Sequence, residues 1–513
     1  MAKSKRNTLF VFFGTSFLCC CIQLVLSFPV HAQQTLGGIT GTVTDASGGI
    51  LPNTTVNLVS DQTKLSRTQS TNSGGIYDFV NLPIGSYTLT FTHDGFETQK
   101  VPSIVVQADR TATLNATLKV GQVGTTVTVE ASPLMNAVDT TNGYILEKDQ
   151  IESVPLPTGS FTGIAILSPG VNAELSSGTG VNNGLGNQPI WANGQRDTSN
   201  TFMMNGVDAS NLFNGKSTSS VSSARIVNNT GIGGAASLSS TTAEPIQSTA
   251  SPYLAIGQAL PTPAPETIQE FRVNTSMYDA QQGSTSGAHI DISTASGTND
   301  IHGSAYVHRG TDALNAAPFF YNADPNIPAS DKVPELHRYT AGGTLGAPII
   351  KNKLFAFVSF QHTHDSDQEI GSSRVAVPPG LTDSIRNDPA ALAALVNGNF
   401  PAAATTNATV GVAPGDINPI AYGLLNYKLP NGQYLIPSAS TNPAVNPISI
   451  NFPENSFTVG TAYFLANQAV GDVDWNVNSK DTLALKYYYQ HDPSIAPFAY
   501  SGSPGFTQHL DAV

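Results

Sequence analysis

The sequence predicts a mainly β protein in three parts: a β-sandwich, a small α/β domain, and the first strands of an incomplete transmembrane antiparallel β-barrel. Short alternating segments separated by turn residues fill positions 33–119. After Phe28 no continuous apolar stretch reaches the ~20 residues of a membrane helix. From His302 onward, alternating segments have the length of tilted barrel strands and carry aromatic residues toward their ends.

Residues 1–32 have the pattern of a signal peptide. Lys3, Lys5 and Arg6 precede an apolar run from Leu9 to Phe28, and Val30-His31-Ala32 has the small-residue spacing of a cleavage site. We therefore expect export and cleavage near Ala32. The alternative is a retained membrane anchor, because the apolar run is long enough to span a bilayer.

Composition excludes several classes of function. Charged residues make up 12 % of the chain and the formal net charge is −13, so no basic face is available for nucleic acid. All three cysteines, at positions 19–21, lie in the leader. The mature chain therefore offers no disulfide framework, cysteine zinc site or thiol nucleophile.

Residues 33–119 are expected to form the sandwich, because about seven short strands alternate with turn signals such as Asn72-Ser73-Gly74-Gly75. Tyr77, Tyr87 and Phe91 fit a sandwich core, and a stacking platform for sugars is the alternative. The segments GTVTD (41–45), TNSGGIYDF (71–79), LPIGSY (82–87) and DGF (94–96) resemble a carboxypeptidase regulatory-like domain. That resemblance implies a transthyretin-like, carbohydrate-binding-like fold without peptidase activity.

Residues 120–301 are expected to form the α/β domain. Pro265 suits a helix N-terminus, and the next segment alternates as a strand with Phe271 and Val273 on one face. A second alternation covers 289–293, and a short helix is predicted from Leu146 to Val154.

Residues 302–513 are expected to supply the barrel strands. A long segment, 365–467, is rich in Pro, Ala and Asn and is predicted to be a loop outside the cell. Five strands cannot close a barrel, so we expect either the front part of a longer protein or a truncated product. The predicted strands are 302–308, 337–345, 354–363, 468–476 and 482–490.

Five ordered motifs at the junction of the last two parts resemble the plug-to-barrel junction of Oar-like TonB-dependent outer-membrane receptors. They lie at 268–273, 278–280, 296–306, 314–320 and 345–357. The resemblance implies that 120–301 is a plug and that the protein lies in outer-membrane lipid of a Gram-negative-type bacterium. It also implies energy supplied by the TonB complex of the inner membrane and an external substrate, for which a glycan is the candidate class.

The same resemblance names candidate site residues. The strand Val123–Glu130 matches a TonB box, and an ordinary first plug strand is the alternative reading. Its central residues are the TonB-contact candidates: Thr126, Val127, Thr128 and Val129. The plug motif candidates are Asn193, Gly194, Gln195, Arg196, Asn205, Gly206, Asp208, Glu270 and Arg272. Ser160, Asn205 and Ala295 depart from the family pattern by lacking a charge, which weakens the expected latch to the barrel wall.

No motif supports catalysis, and we expect no enzyme activity and no cofactor. His362 and His364 share a strand face and could bind a metal, but beside Asp365 and Asp367 we interpret them as solvated loop residues. Two other classes stay open: a surface adhesion protein without transport, and a soluble periplasmic remnant. Fractionation separates these from a transporter.

Overall fold

The computed structural model describes twenty segments of the chain, and the structural statements below concern these segments. They are 36–121, 126–128, 141–154, 163–173, 190–196, 199–209, 263–278, 282, 285–317, 319–323, 329–368, 372–375, 377–399, 411–429, 432–439, 456–459, 461–479, 481–491, 493–496 and 508–510. The protein is mainly β, as predicted. No helix within these segments is long and apolar enough to cross a membrane.

The N-terminal part is a sandwich of two sheets. One sheet has the order β4-β1-β7, with β8 also pairing with β1, and the other has the order β3-β2-β5-β6-β9. The strands are β1 Gly37–Asp45, β2 Thr55–Ser60, β3 Ser66–Ser70, β4 Ile76–Leu82, β5 Gly85–Thr92, β6 Thr98–Val106, β7 Thr111–Thr113, β8 Ala116–Leu118 and β9 Thr126–Thr128.

Aromatic side chains fill the space between these two sheets. Tyr77, Tyr87 and Phe91 are all buried, and the rings of Tyr77 and Phe91 meet edge to face at 5.5 Å. The hydroxyls of the two tyrosines donate to the carbonyl oxygens of Leu114 and Pro83, each at 2.7 Å. The core interpretation is therefore confirmed, and a sugar-stacking platform built from these three residues is wrong.

The second part is an α/β unit around one sheet with the order β10-β15-β16-β13-β14. A separate pair, β11 and β12, and a short helix α1 accompany it. The elements are β10 Asn142–Glu147, α1 Lys148–Ser153, β11 Val171–Ala173, β12 Ile190–Ala192, β13 Thr201–Met204, β14 Val207–Asp208, β15 Ile268–Ser276 and β16 His289–Thr294.

Of two expectations for this unit, the helical turn at Pro265 is confirmed, and the predicted start of the short helix is wrong by two residues. Pro265 opens a 3-10 turn, Pro265–Thr267, as predicted. The helix expected from Leu146 begins only at Lys148, because Leu146 and Glu147 pair with Phe271 and Glu270 of β15. Tertiary pairing overrides the local helical pattern there.

Strand β15 is buried on both of its faces. Phe271 and Val273 pack into the apolar core of the unit, as the alternation predicts. Arg272 and Asn274, on the opposite face, are equally buried. A polar face is buried only when another part of the protein covers it and satisfies its hydrogen bonds.

The third part is one antiparallel sheet with the order β17-β18-β19-β22-β24-β25, with β23 also pairing with β22. Within the described residues this sheet stays open. A separate hairpin consists of β20 and β21. The strands are β17 His302–Thr311, β18 Leu336–Ile350, β19 Leu354–Asp367, β20 Ser372–Val375, β21 Ser456–Val459, β22 Ala462–Asn476, β23 Thr482–His491, β24 Ser494–Ala496 and β25 Gln508–Leu510.

All five predicted barrel strands lie in this sheet, but the three central ones are longer than expected. Strands β18, β19 and β22 have 15, 14 and 15 residues. Polar residues at their ends continue the ladder, down to the pair Asp367 and Ala462. The loop bounds at 365 and 467 are therefore wrong by a few residues on each side.

The segment between β19 and β22 contains folded structure and not merely a loop. Helices α3 Pro389–Asn399 and α4 Pro419–Asn426 enclose a small apolar core. Arg386 is fully buried beside it, donating to the carbonyl oxygen of Ile436 at 2.9 Å and lying 3.9 Å from the ring centre of Tyr434. One further short helix, α2 Phe319–Ala323, lies between β17 and β18.

Candidate functional site

The covered polar face of β15 meets a turn of the sandwich. The backbone N–H of Ala108 donates to both carboxylate oxygens of Glu270, at 3.1 and 3.3 Å. Arg272 donates from Nη1 to the carbonyl oxygen of Ala108 at 2.7 Å and lies 3.7 Å from Oδ2 of Asp109. Glu270 is 3 % and Arg272 1 % exposed. We call these four residues the clasp, because they join the sandwich to the α/β unit.

A chain of amides extends the clasp. Nε of Arg272 donates to Oδ1 of Asn274 at 2.9 Å, and Nδ2 of Asn274 donates to Oε1 of Gln282 at 2.9 Å. Gln282 in turn donates to Oδ2 of Asp109. Hydrogen bonds that involve charged groups are roughly twice as strong as neutral ones. The clasp is therefore a specific polar contact and not a chance apolar one.

Burial controls the ionisation of Glu270. Removal of this carboxyl from water raises its pKa to about 7, and the nearby carboxylate of Glu147 adds to the effect. The N–H of Ala108 and the charges of Arg272 and Arg110 act in the opposite direction but do not cancel it. The clasp therefore holds a carboxyl group that titrates near neutral pH.

The TonB-contact candidates lie at the edge of the sandwich. Thr126, Val127 and Thr128 form β9, which runs parallel to β6 with Thr98 to Lys100 as partners. Val129 lies outside the described residues. The structure thus places a strand at this position, but the strand is joined to the sandwich sheet and not to the sheet of the α/β unit.

Four of the plug motif candidates form two Asn-Gly turns. Asn193 and Gly194 have φ of 51° and 76°, and Asn205 and Gly206 have φ of 51° and 80°. This left-handed backbone suits asparagine and glycine. Asn193 donates from Nδ2 to the carbonyl oxygen of Thr275 at 2.9 Å. The geometry assigns these four residues to shaping the unit.

The motif candidates do not gather in one place. Oδ1 of Asn205 accepts from the backbone N–H of Thr294 at 3.0 Å, and Thr294 pairs with Ile268. Asn205 is thus near the start of β15, whereas Asn193 is near its end. The side chains of Gln195, Arg196 and Asp208 are exposed. Only Glu270 and Arg272 act together, and the sequence carried no signal for their partners Ala108, Asp109 and Gln282.

A seam joins the α/β unit to the third sheet. Thr267 Oγ1 and Ser359 Oγ are 2.8 Å apart, and Ser296 donates to Oδ2 of Asp472 at 3.0 Å. Lys486 donates to the same oxygen at 2.7 Å. Ala295 is buried at this seam. The third sheet therefore supplies its own lysine at this seam, next to the position of Ala295 where a charged residue was expected from the α/β unit. Ser160 lies outside the described residues.

His362 and His364 belong to β19 and not to a loop, so that part of the interpretation is wrong. They share the outer face, where the His364 ring stacks on Tyr339 at 5.1 Å. Asp365 lies on the opposite face and accepts from Arg338 at 2.7 Å. In the part of the chain that the structure describes, no group of three or more His, Cys, Asp or Glu residues could hold a metal ion.

Two protein-family models match parts of this chain. The model of an outer membrane beta barrel domain matches residues 293–512, and that of a carboxypeptidase regulatory-like domain matches residues 38–119. The TonB-dependent transporter Oar of Myxococcus xanthus is 23 % identical over 338 residues, which are 63 % of this chain and 26 % of Oar. The chain thus spans about a quarter of the length of that relative.

Solved structures show more distant likenesses. The outer membrane transporter YddB of Escherichia coli aligns with 72 % of this chain and 35 % of its own, at 9 % identity and a TM-score of 0.39. The group B streptococcus pilus 2b backbone protein aligns with 17 % of this chain and 41 % of its own, at 18 % identity and a TM-score of 0.14. By its sequence matches, this protein is similar to the TonB-dependent transporter Oar, and it contains regions similar to a carboxypeptidase regulatory-like domain and to an outer membrane beta barrel domain.

Proposed function

We propose that the protein acts in the outer membrane of a Gram-negative-type bacterium as a TonB-dependent transporter. In this proposal the third sheet is barrel wall in contact with outer-membrane lipid, and the α/β unit, whose described elements run from β10 to β16, is the plug. The TonB complex of the inner membrane draws on the plug, and an external substrate passes to the periplasm. The observation that carries the proposal is the position of the α/β unit. It is joined to the sandwich by the clasp and to the polar face of the third sheet by the seam, and the other face of the third sheet is apolar.

The outward face of the wall supports contact with lipid. Val358 and Phe360 on β19, and Leu485 and Tyr487 on β23, are all exposed there, and both strands pair with β22. On β22 the apolar band reaches from Trp475 to the row of Asn467, eight residues or roughly 27 Å along the strand. With strands tilted by about 35–45°, this length has a height of roughly 19–22 Å, somewhat less than the ~25 Å apolar band of outer-membrane barrels.

The inward face of the wall supports a polar interior. The hydroxyl of Tyr306 donates to Oε1 of Gln361 at 2.9 Å, and Nε2 of Gln361 donates to Oε1 of Gln468 at 3.1 Å. Gln468 also reaches the hydroxyl of Tyr488 at 3.1 Å. A hydrogen-bonded row of amides and hydroxyls is typical of a barrel lumen and costly against lipid.

In the proposal, TonB contacts the chain at Thr126 to Val129 by adding a strand. Main-chain pairing at a sheet edge tolerates many side chains, so a short Thr- and Val-rich strand is sufficient. Strand β9 is joined to β6 in the order β3-β2-β5-β6-β9, which makes it the last strand of its sheet. Binding of the periplasmic domain of TonB to the full chain, and its loss on Val127→Pro, tests this contact.

Carbohydrate is the substrate class that we propose to test first, because the N-terminal domain resembles a carboxypeptidase regulatory-like domain, and this resemblance implies a carbohydrate-binding-like fold. Tyr77, Tyr87 and Phe91 are buried, so a sugar contact in this domain needs other residues. Uptake of labelled oligosaccharides that stops on TonB depletion supports the proposal. Uptake that continues without TonB, or recovery of the protein from the periplasm and not from the outer membrane, contradicts it.

A second candidate function is surface adhesion without transport. It is favoured by the folded unit at 377–439, whose helix α4 exposes Ile420 and Leu424 on one face. Cells that bind matrix or other cells only with this unit intact, and whose uptake does not depend on the protein, would support adhesion over transport.

A further inference from the structure

Strand β6 connects the TonB-contact candidates to the clasp. Its first residues, Thr98 to Lys100, pair with β9, and its last residue, Val106, leads directly into the clasp turn at Ala108. From Lys100 to Ala108 is eight residues, roughly 26 Å of extended chain. One strand thus spans the distance between the two contacts.

The clasp is a firm end for this connection. Ala108 is held on both sides of its backbone, through its N–H by Glu270 and through its carbonyl oxygen by Arg272. Both side chains are buried on β15, which pairs with β10 on one side and β16 on the other. A displacement of the turn therefore acts on a central strand of the plug sheet.

The covalent route from β9 to the sheet of the α/β unit is longer, and it reaches that sheet at β10. Residues 129–140 separate β9 from Thr141, which precedes β10. Twelve residues have an extended length of up to about 40 Å. Along this route alone, a pull reaches β10 only after these residues have been drawn out.

We propose that β6 and the clasp form a second, noncovalent connection through which a pull on β9 reaches β15 before the covalent linker is taut. The sandwich then transmits force from β9 to the plug. This inference rests on the proposed function in one respect, namely that β9 is the place where TonB pulls. The mechanical connection itself is independent of TonB.

A single-molecule pulling experiment tests the connection without TonB or substrate. The mature chain is expected to be free of cysteine, so Thr128→Cys and Lys351→Cys give two unique handles, one on β9 and one in the exposed turn between β18 and β19. In lipid bilayers, the first force peak should report yielding of the plug with little preceding extension. Loss of the clasp should add low-force extension before that peak, and its upper limit is the length of about 40 Å of residues 129–140 less the distance that already separates β9 from Thr141.

Two variants weaken the clasp from opposite sides, and each leaves the hydrogen bond from Arg272 to the carbonyl oxygen of Ala108 in place. Asp109→Gly removes the carboxylate while keeping a residue that suits the φ of 55° at this position, and Glu270→Ala removes the acceptor on the plug. Asn81→Gly is the matched control, since Asn81 also has a φ of 55° but lies outside the clasp. We expect the added extension in both clasp variants and not in the control.

The connection is overturned if the handle on β9 shows the same low-force extension with the clasp intact, because the ladder between β9 and β6 then yields first. It is also overturned if both clasp variants pull like the control. Failure of the purified periplasmic domain of TonB to bind the full chain contradicts the proposed function instead. The two failures are therefore distinguishable.

Discussion

Glu270 and Arg272, two residues apart on strand β15, hold opposite sides of the same residue of the sandwich. The carboxylate accepts the N–H of Ala108 at 3.1 Å, and the guanidinium donates to the carbonyl oxygen of Ala108 at 2.7 Å. Backbone groups that would otherwise be buried without partners are thereby satisfied by side chains of another domain. This relationship joins the sandwich to the α/β unit by side-chain hydrogen bonds on both sides of one backbone residue.

The first prediction concerns pH. Because burial raises the pKa of Glu270 to about 7 from 4.5, the folded state binds its proton more tightly than the unfolded state does. The contribution of Glu270 to stability is therefore largest below pH 4.5, falls as pH rises to about 7, and is constant above that. The loss amounts to up to about 3 kcal/mol. Denaturant unfolding from pH 4 to pH 8 measures it.

Glu270→Gln provides the matched variant, since it is uncharged at every pH. We expect the free energy of unfolding of this variant to decline much less between pH 4.5 and 7 than that of the wild type. Asp94→Asn, which removes an exposed carboxylate from the same sandwich, should keep the decline. A wild-type stability that rises over this interval contradicts the assignment to Glu270.

The second prediction concerns the seam. A Cβ on Gly297 would lie 2.7 Å from the backbone nitrogen of Ala356 on β19, where neither backbone can move freely. Gly297→Ala should therefore destabilise the seam by about 1–3 kcal/mol. Hydrogen exchange of the amides around Ser296 and Thr267 should increase. Gly471→Ala is the control, because nothing lies within 4 Å of its added Cβ; equal effects of the two substitutions would refute the close contact.

The third prediction concerns the folded unit between β19 and β22. Arg386 is fully buried and donates to Ser438 Oγ at 2.7 Å as well as to the carbonyl oxygen of Ile436. Arg386→Met removes the donor to these partly buried acceptors, at a cost of up to about 3 kcal/mol for each. Limited proteolysis should then cut within 377–439 while the wall stays intact.

Arg309→Met, at an exposed position on β17, is the control for this substitution. It should leave the proteolysis pattern unchanged. A pattern in Arg386→Met that matches the wild type would show that the arginine does not hold the unit together.

The fourth prediction concerns depth in the membrane. Val358 lies within the outward apolar band, whereas His362 lies at its margin beside Asn467. An arginine at the centre of a barrel's lipid face costs about 2–4 kcal/mol, and one near the interface about 0–1 kcal/mol. Val358→Arg should therefore reduce folding into lipid vesicles far more than His362→Arg. Equal effects would place both residues in water.

The parts of this fold that follow from local sequence were predictable. Period-two alternation identifies β15 and the five wall strands, because the two faces of each strand meet different surroundings, one apolar and one polar. The Asn-Gly pairs at 193–194 and 205–206 mark turns, because asparagine and glycine tolerate the left-handed backbone that these turns require. Alternation could not show where β18, β19 and β22 end, since their polar ends are paired with polar residues of neighbouring strands.

The parts that depend on distant contacts were not predictable. Ala108 and Glu270 are 162 positions apart, and nothing in either segment alone identifies the other as its partner. Leu146 and Glu147 follow a helical pattern but are drawn into β10 by pairing with β15. The residues of the apolar core between Val377 and Ala439 are spread over 63 positions of Pro- and Ala-rich sequence, so its segments look like loop when taken one at a time.

Lipid contact of the wall is the central claim, and neighbouring residues Val358 and Ser359 test it most directly, because their side chains point to opposite faces of β19. Each is replaced by cysteine in the otherwise thiol-free mature chain and spin-labelled in lipid vesicles. We expect the label at 358 to be accessible to oxygen and shielded from a water-soluble nickel complex, and the label at 359 not to be lipid-exposed. Ready access of the nickel complex to the label at 358 would contradict the claim, because that face of the sheet would then lie in water.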